Sequence, residues 1–143
     1  MKTCIIFNPA ARGDKARHFR EHLTELSTQC SLRPTTSAGA GRALARAAIR
    51  EGFEVIVAAG GDGTVNEVVN GMVDEPEGLQ RARLAVLPLG TVNVFARELG
   101  VPSHLALAWR MVQHGSEAVI DVAEAEFANG GQPRRFCFVQ MAG

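Results

Sequence analysis

Five apolar residues, Val55-Ile56-Val57-Ala58-Ala59, run directly into Gly60-Gly61-Asp62-Gly63-Thr64 and then into a helical pattern that continues to Gly71. A strand that stops at a glycine turn and restarts as a helix belongs to few architectures, chiefly those built from β-α units. Glycine permits positive φ and lets a ligand approach the backbone closely. A glycine turn that opens a helix is also a ready cradle for phosphate, because the first helical amides point outward. A tight turn has no need of an acid between its glycines, so Asp62 reads as a functional carboxylate, one serving a cation or a proton transfer. Thr64 and Glu67 form Thr-x-x-Glu, a capping box, and so also have a purely structural reading.

The same design recurs further on. The apolar strand Arg83–Leu87 leads into Pro88-Leu89-Gly90-Thr91-Val92-Asn93, and a helix is expected from Thr91 to Leu99. A third junction is Asn8-Pro9, after a strand over 3–7. Further strands are expected at 30–35 and 54–59, and further helices at 14–29, 41–51, 64–73 and 105–112, with Asp14 as an N-cap and Gly52 as a helix-ending residue. The alternation predicts an α/β fold with a parallel sheet, whose ligands gather at the carboxyl ends of the strands. Residues 117–127 and 135–141 alternate around Asn129-Gly130-Gly131 and predict a terminal antiparallel hairpin.

The phosphate-loop patterns that this chain does not match narrow the chemistry. A Walker loop would carry lysine after the last glycine, and none follows Gly63. A dinucleotide fingerprint would place glycine where Asn66 stands. Lysine plus arginine equals aspartate plus glutamate at 15 each, which argues against a general nucleic-acid binder. The length, 143 residues, suits one domain with a real core. Three widely spaced cysteines, Cys4, Cys30 and Cys137, offer no disulfide framework and fit a reducing cytosol. The apolar start of the chain ends at Asn8-Pro9 and is too short for a signal peptide or a membrane span.

Taken together, Asn8-Pro9, Thr35, the run from Gly60 to Gly71, and Leu87-Pro88-Leu89-Gly90-Thr91-Val92-Asn93-Val94-Phe95-Ala96-Arg97 resemble the diacylglycerol kinase catalytic-domain family. That family includes sphingosine kinases, ceramide kinase and bacterial lipid kinases. Val119-Ile120-Asp121 and Phe136 to Gly143 extend the resemblance, in the family's order, over nearly the whole chain. The Gly-Gly-Asp-Gly-Thr core is shared with NAD kinases; its continuation through Asn66-Glu67 and Asn70-Gly71, with the second loop, favours the lipid-kinase branch.

The resemblance implies a three-layer parallel-sheet domain of the NAD kinase/diacylglycerol kinase type. It implies ATP-dependent phosphorylation of a lipid hydroxyl with Mg²⁺. Asn8, Thr35, Gly61, Asp62, Gly63, Thr64, Val65, Asn66, Glu67, Gly90, Thr91 and Asn93 would line the nucleotide site. Asp62 would be the catalytic carboxylate, as proton acceptor or as organiser of the metal. The alternatives are an NAD kinase-like enzyme and a noncatalytic nucleotide-binding module. The chain departs from the family pattern at Ala10-Ala11-Arg12, where a serine is common, and at Val92 and Val94, which replace a glycine and an aspartate.

Residues 1–143 are therefore expected to be the N-terminal nucleotide-binding half of a longer enzyme, whose second, mostly β domain would add lipid contacts. The expected location is the cytoplasm, with peripheral contact at the inner membrane face. Self-association is expected through the apolar edge Phe136–Val139. Bland readings suffice elsewhere. His18 and His22 lack further ligands for a zinc site, His104 and His114 sit near helix ends, Trp109 is core or interface, and Arg42, Arg46 and Arg50 form a solvated helix face.

Overall fold

The computed structural model describes residues 1–120, 122–129 and 132–138, and side chains up to residue 122. Asp121, the turn glycines Gly130 and Gly131, and the final Val139 to Gly143 lie outside the described residues, as do the side chains of the expected apolar edge.

Four strands, β1 (Thr3–Phe7), β2 (Ser31–Pro34), β3 (Val55–Gly60) and β4 (Arg83–Pro88), form one parallel sheet in the order β2-β1-β3-β4. Strands β1, β3 and β4 read as largely apolar runs because both faces of the sheet are covered, whereas the edge strand β2, Ser31-Leu32-Arg33-Pro34, does not. Their alternation divides the core in two. Cys4, Ile6, Ile56, Ala58 and Val86 pack with α3 (Ala40–Arg50), α4 (Asp62–Asp74) and α6 (Val94–Glu98). Ile5, Phe7, Val57, Ala59 and Leu87 pack on the opposite face with α1 (Asp14–Glu21), α2 (Leu23–Ser27) and α7 (Leu105–His114). The three-layer expectation is met. Two further strands, β5 (Ala123–Asn129) and β6 (Gln132–Phe138), pair as the expected antiparallel hairpin, although 117–120 stay outside any strand.

Several local expectations are corrected. The single helix expected over 14–29 is broken at His22, where the ring Nδ1 donates to the His18 carbonyl at 2.8 Å and takes the acceptor that the His22 amide would use. That amide bonds Phe19 O instead, one residue short of helical spacing. Gly13, at φ +100°, takes the N-cap position in place of Asp14, whose carboxylate pairs with Arg17 at 3.2 Å. A short helix that the sequence reading did not place, α5 (Gly78–Arg81), lies between α4 and β4. Gly52 does end α3 as expected. At φ +91° its amide bonds Ile49 O while Phe53 N reaches Ala48 O, the paired bonds of a Schellman motif.

The arginine face of α3 is not merely solvated. Arg42 grips Asp74 with two bonds, 2.6 and 2.8 Å, and Arg46 and Arg50 converge on Glu75 at 3.2 and 2.7 Å. Arg81 approaches Glu75 from α5 at 3.5 Å. The two helices are pressed together at Gly71, where a β-carbon would stand 2.1 Å from the Arg42 carbonyl. Trp109, half-buried, packs on the α1/α2/α7 side and donates to Gln29 Oε1 at 3.3 Å. Burial raises the Cys4 and Cys30 thiols to about 11, as suits inert packing residues.

These ion pairs make stability depend on pH. Burial pushes the Glu75 carboxyl up, but hydrogen bonds from Arg46 and Arg50 outweigh it and hold the group below the usual carboxylate range. The Arg42 hydrogen bond lowers Asp74 likewise. A carboxylate lowered on folding stabilises the native state above its unfolded pKa, and that contribution fades as pH falls through the folded value. Urea midpoints should therefore fall between neutral pH and strong acid. Glu75→Gln should unfold at lower urea at pH 7 and show a shallower acid dependence.

Candidate functional site

The parallel sheet brings four strand ends to one edge. Phe7 pairs with Pro34 and Ala59, and Gly60 pairs with Pro88, so Asn8, Thr35, Gly61 and Leu89 emerge side by side. The strand order reverses direction between β1 and β3, and crevices of open α/β sheets form at such a point.

The β1 loop turns tightly. Asn8 Oδ1 accepts from Ala10 N at 2.9 Å, and the Asn8 carbonyl accepts from Ala11 N at 3.1 Å. Thr35 is anchored beside it, its amide donating to Phe7 O at 2.8 Å. Arg12, Arg17 and Arg20 border an open concavity of about 540 Å³ on this loop, and Arg20 donates to Ala11 O at 2.6 Å.

The β3 loop is built around close approaches that only glycine allows. A β-carbon on Gly60 would lie 2.5 Å from Thr64 Oγ1, so the threonine side chain folds back over that glycine. A β-carbon on Gly90 would lie 2.8 Å from Gly61 Cα, which brings the β3 and β4 loops backbone to backbone. Gly63, by contrast, faces open space.

Asp62 joins the two loops. Its Oδ2 accepts from Val94 N at 3.1 Å and its Oδ1 from Phe95 N at 3.2 Å. The carboxylate therefore caps α6 from outside that helix. The residue in the N-cap position, Asn93, is in the left-handed region at φ +53° and spends its side chain on Gly90. It accepts from the Gly90 amide at 3.0 Å and donates to the Gly90 carbonyl at 2.7 Å. The expected helix start at Thr91 thus moves to Val94, and Thr91 is left exposed on the loop.

The capping box is not formed. Helix α4 begins at Asp62, its N-cap is Gly61, and among the described residues no side chain caps it. Glu67 Oε1 instead accepts from Gly41 N at 3.2 Å, in the first turn of α3. Val65 is buried in the core and its amide donates to Gly61 O. Asn70, buried, donates to Asn66 O at 2.7 Å, while the buried Asn66 Oδ1 has no hydrogen-bond partner among the described residues.

The structure therefore gathers Asn8, Thr35, Gly61, Asp62, Gly63, Thr64, Gly90 and Thr91 at one edge. It places Val65 in the core and turns Glu67 toward α3. Sequence reasoning missed Gly41 as the partner of Glu67; the one visible signal was a second glycine, Gly41, after Gly39 where a single turn glycine would suffice. Arg20, which holds the β1 loop, was missed as well.

The family model for the diacylglycerol kinase catalytic domain matches residues 2–125. A diacylglycerol kinase of Staphylococcus aureus (strain bovine RF122 / ET3-1) is 34% identical over 138 residues, covering 90% of this chain and 43% of the relative. The diacylglycerol kinase of strain Newman matches to the same extent. A solved diacylglycerol kinase structure from Bacillus anthracis str. Sterne superposes with a TM-score of 0.65 at 29% identity, covering 92% of this chain and 44% of that one. The chain thus spans less than half the length of these relatives.

The Gly61–Gly90 contact yields a direct test. Gly90→Ala would place a methyl group against Gly61 Cα and 2.9 Å from Asn93 Oδ1. Forcing the loops apart should cost about 1–3 kcal/mol. Thermal unfolding of the variant should show a correspondingly lower midpoint.

Proposed function

The chain belongs to the diacylglycerol kinase catalytic-domain family, and from that premise we propose that it is the ATP-binding half of a lipid kinase. The reaction moves the terminal phosphoryl group of ATP to the oxygen of a lipid hydroxyl; ADP leaves, and the hydroxyl proton passes to a base.

The observation that carries this reading is the N-terminus of α4. Helix N-termini favour anions through their outward amides and dipole. Here the helix runs 13 residues, its N-cap is a glycine, and among the described residues no side chain caps it. Gly63 leaves open space beside them. The phosphates of ATP fit that opening, with Gly61, Gly63 and Thr64 around them. Exposed Thr91 on the clasped β4 loop, and Asn8 and Thr35 from β1 and β2, would complete the walls. Phosphoryl transfer depends chiefly on positioning and charge neutralisation, and a rigid frame of amides suits it.

Asp62 acts in this reading as an organiser. Both its oxygens already accept amides, so its main task is to hold the β4 loop against the α4 N-terminus. Among the described residues no cluster of three or more His, Cys, Asp or Glu side chains could cage a metal. Mg²⁺ fits without a cage, because it is ordinarily held by one or two carboxylates together with substrate phosphates. Asp62 is the carboxylate at the loop junction that would hold it, and the bound ion would neutralise phosphate charge.

The lipid contacts and the proton acceptor would come from the second domain that the resemblance implies. Among the described residues no helix is long and apolar enough to cross a membrane. A lipid acceptor nonetheless calls for peripheral contact with the membrane surface.

Calorimetry with Mg-ATP on this chain tests the site. Wild type should bind, and Asp62→Ala and Thr91→Ala should each weaken binding several-fold; equal affinity in all three would remove the assigned site. Phosphorylation assays on the whole gene product should favour diacylglycerol in vesicles over NAD. Robust NAD phosphorylation would overturn the lipid-kinase reading.

A further inference from the structure

Glu67 was expected either to cap its own helix or to contact nucleotide, and its carboxylate caps a different helix. The first turn of α3 has no cap of its own, because its N-cap residue is Gly39, at φ +85°, with no side chain to offer. Four amides at a helix start lack intrahelical acceptors and need one from elsewhere. Glu67, from the second turn of α4, supplies one by accepting the Gly41 amide at 3.2 Å. The fit is close, since a β-carbon on Gly41 would stand 3.2 Å from Glu67 Cβ.

The segment that this bond secures runs from the end of β2 into α3 and contains Thr35. Its backbone fixed points are local or lie on β1, namely Thr35 N to Phe7 O, Ala40 N to Ser37 O and Arg42 N to Gly39 O, while just beyond it the Arg42 side chain pairs with Asp74 at the far end of α4. Among the described residues, the Glu67–Gly41 bond is the side-chain hydrogen bond that ties residues 35–41 to the helix whose N-terminus faces the phosphate opening.

We propose that Glu67 is a positioning residue that locks the Thr35–Gly41 segment onto α4 and so sets the spacing between two walls of the nucleotide site. The proposal rests on the ATP-binding reading above for its functional half, and on the cross-helix cap for its structural half. A cap needs an acceptor oxygen, whereas a metal or phosphate-linked role needs the charge. Glutamine keeps the oxygen and loses the charge, so it separates the two.

The experiment measures Mg-ATP affinity by calorimetry and amide hydrogen exchange across residues 35–41, for wild type, Glu67→Ala, Glu67→Gln and Gly41→Ala. Glu67→Ala should speed exchange at Gly41 and weaken ATP binding about five- to tenfold, the size of a lost helix cap. Gly41→Ala, which crowds the carboxylate, should do the same. Glu67→Gln should recover most of both losses. If glutamine is as damaging to affinity as alanine while exchange stays slow, the charge acts directly and the positioning role is wrong. If exchange at Gly41 is unchanged in Glu67→Ala, the cap does not hold the segment and the proposal also fails. If exchange speeds but affinity does not move, the lock exists without setting the site, and the functional half is overturned. Should wild type bind no ATP at all, the nucleotide reading falls, and with it the functional half; the exchange arm still decides the lock.

Discussion

Two hydrogen bonds from Val94 and Phe95 to the Asp62 carboxylate hold together the part of this molecule on which the rest of the site depends. They add a side-chain clasp to the β3 and β4 loops, whose backbones already meet through Leu89 N to Gly60 O at 3.0 Å. With them, the start of α4 and the start of α6 form one unit, sealed by the Gly61–Gly90 backbone contact and by the Asn93 side chain closing on Gly90. Anions near helix starts are favoured by the amides there, so the carboxylate satisfies α6 while its own helix has no side-chain cap among the described residues.

The same logic extends outward along α4. Asp62 caps α6, Glu67 caps α3, and Asp74 with Glu75 closes the far end by gathering Arg42, Arg46, Arg50 and Arg81. One helix thus spends its carboxylates on its neighbours rather than on itself. Between those fixed points α3 and α4 pack closely, at Gly71 against Arg42 and Ala45. The result is a rigid frame on one face of a sheet whose two faces are both buried, with the glycine loops exposed at its carboxyl edge. Rigid placement of this kind is what phosphoryl transfer requires of a protein.

The strands β1, β3 and β4 were legible in the sequence because burial on both faces writes them as apolar runs with glycine or proline close to their ends. The parallel sheet followed from their alternation with helices, and the three layers from the family resemblance. What could not be read locally was tertiary. Thr64 and Glu67 satisfy the capping-box pattern in full, yet Glu67 finds a better-placed donor on α3 that is 26 residues away. The helix expected from Thr91 starts at Val94 instead, because Asn93 closes the loop on Gly90 and Asp62 caps the helix from outside. The break at His22 arises from one ring competing for a carbonyl. The arginine stripe of α3 looked solvated because its acidic partners lie beyond the glycine loop, at the end of the next helix. The converging edge of Asn8, Thr35, Gly61 and Gly90 was legible, because a parallel sheet admits no other placement for its strand ends.

Sequence identity near one third and a matching fold place the chain in a family of lipid kinases. The described geometry explains why the Gly-Gly-Asp-Gly-Thr run and the Gly-Thr-x-Asn run occur together: the carboxylate of the first is the cap of the helix that follows the second. Amide hydrogen exchange at Val94 and Phe95, compared between wild type and Asp62→Ala at neutral pH, tests that union most directly. Both amides should be protected in wild type and exchange about tenfold faster or more in the variant, the consequence of losing a charged cap. Equal protection in the two proteins would mean that Asp62 does not hold the second loop, and the unit built on it would not exist.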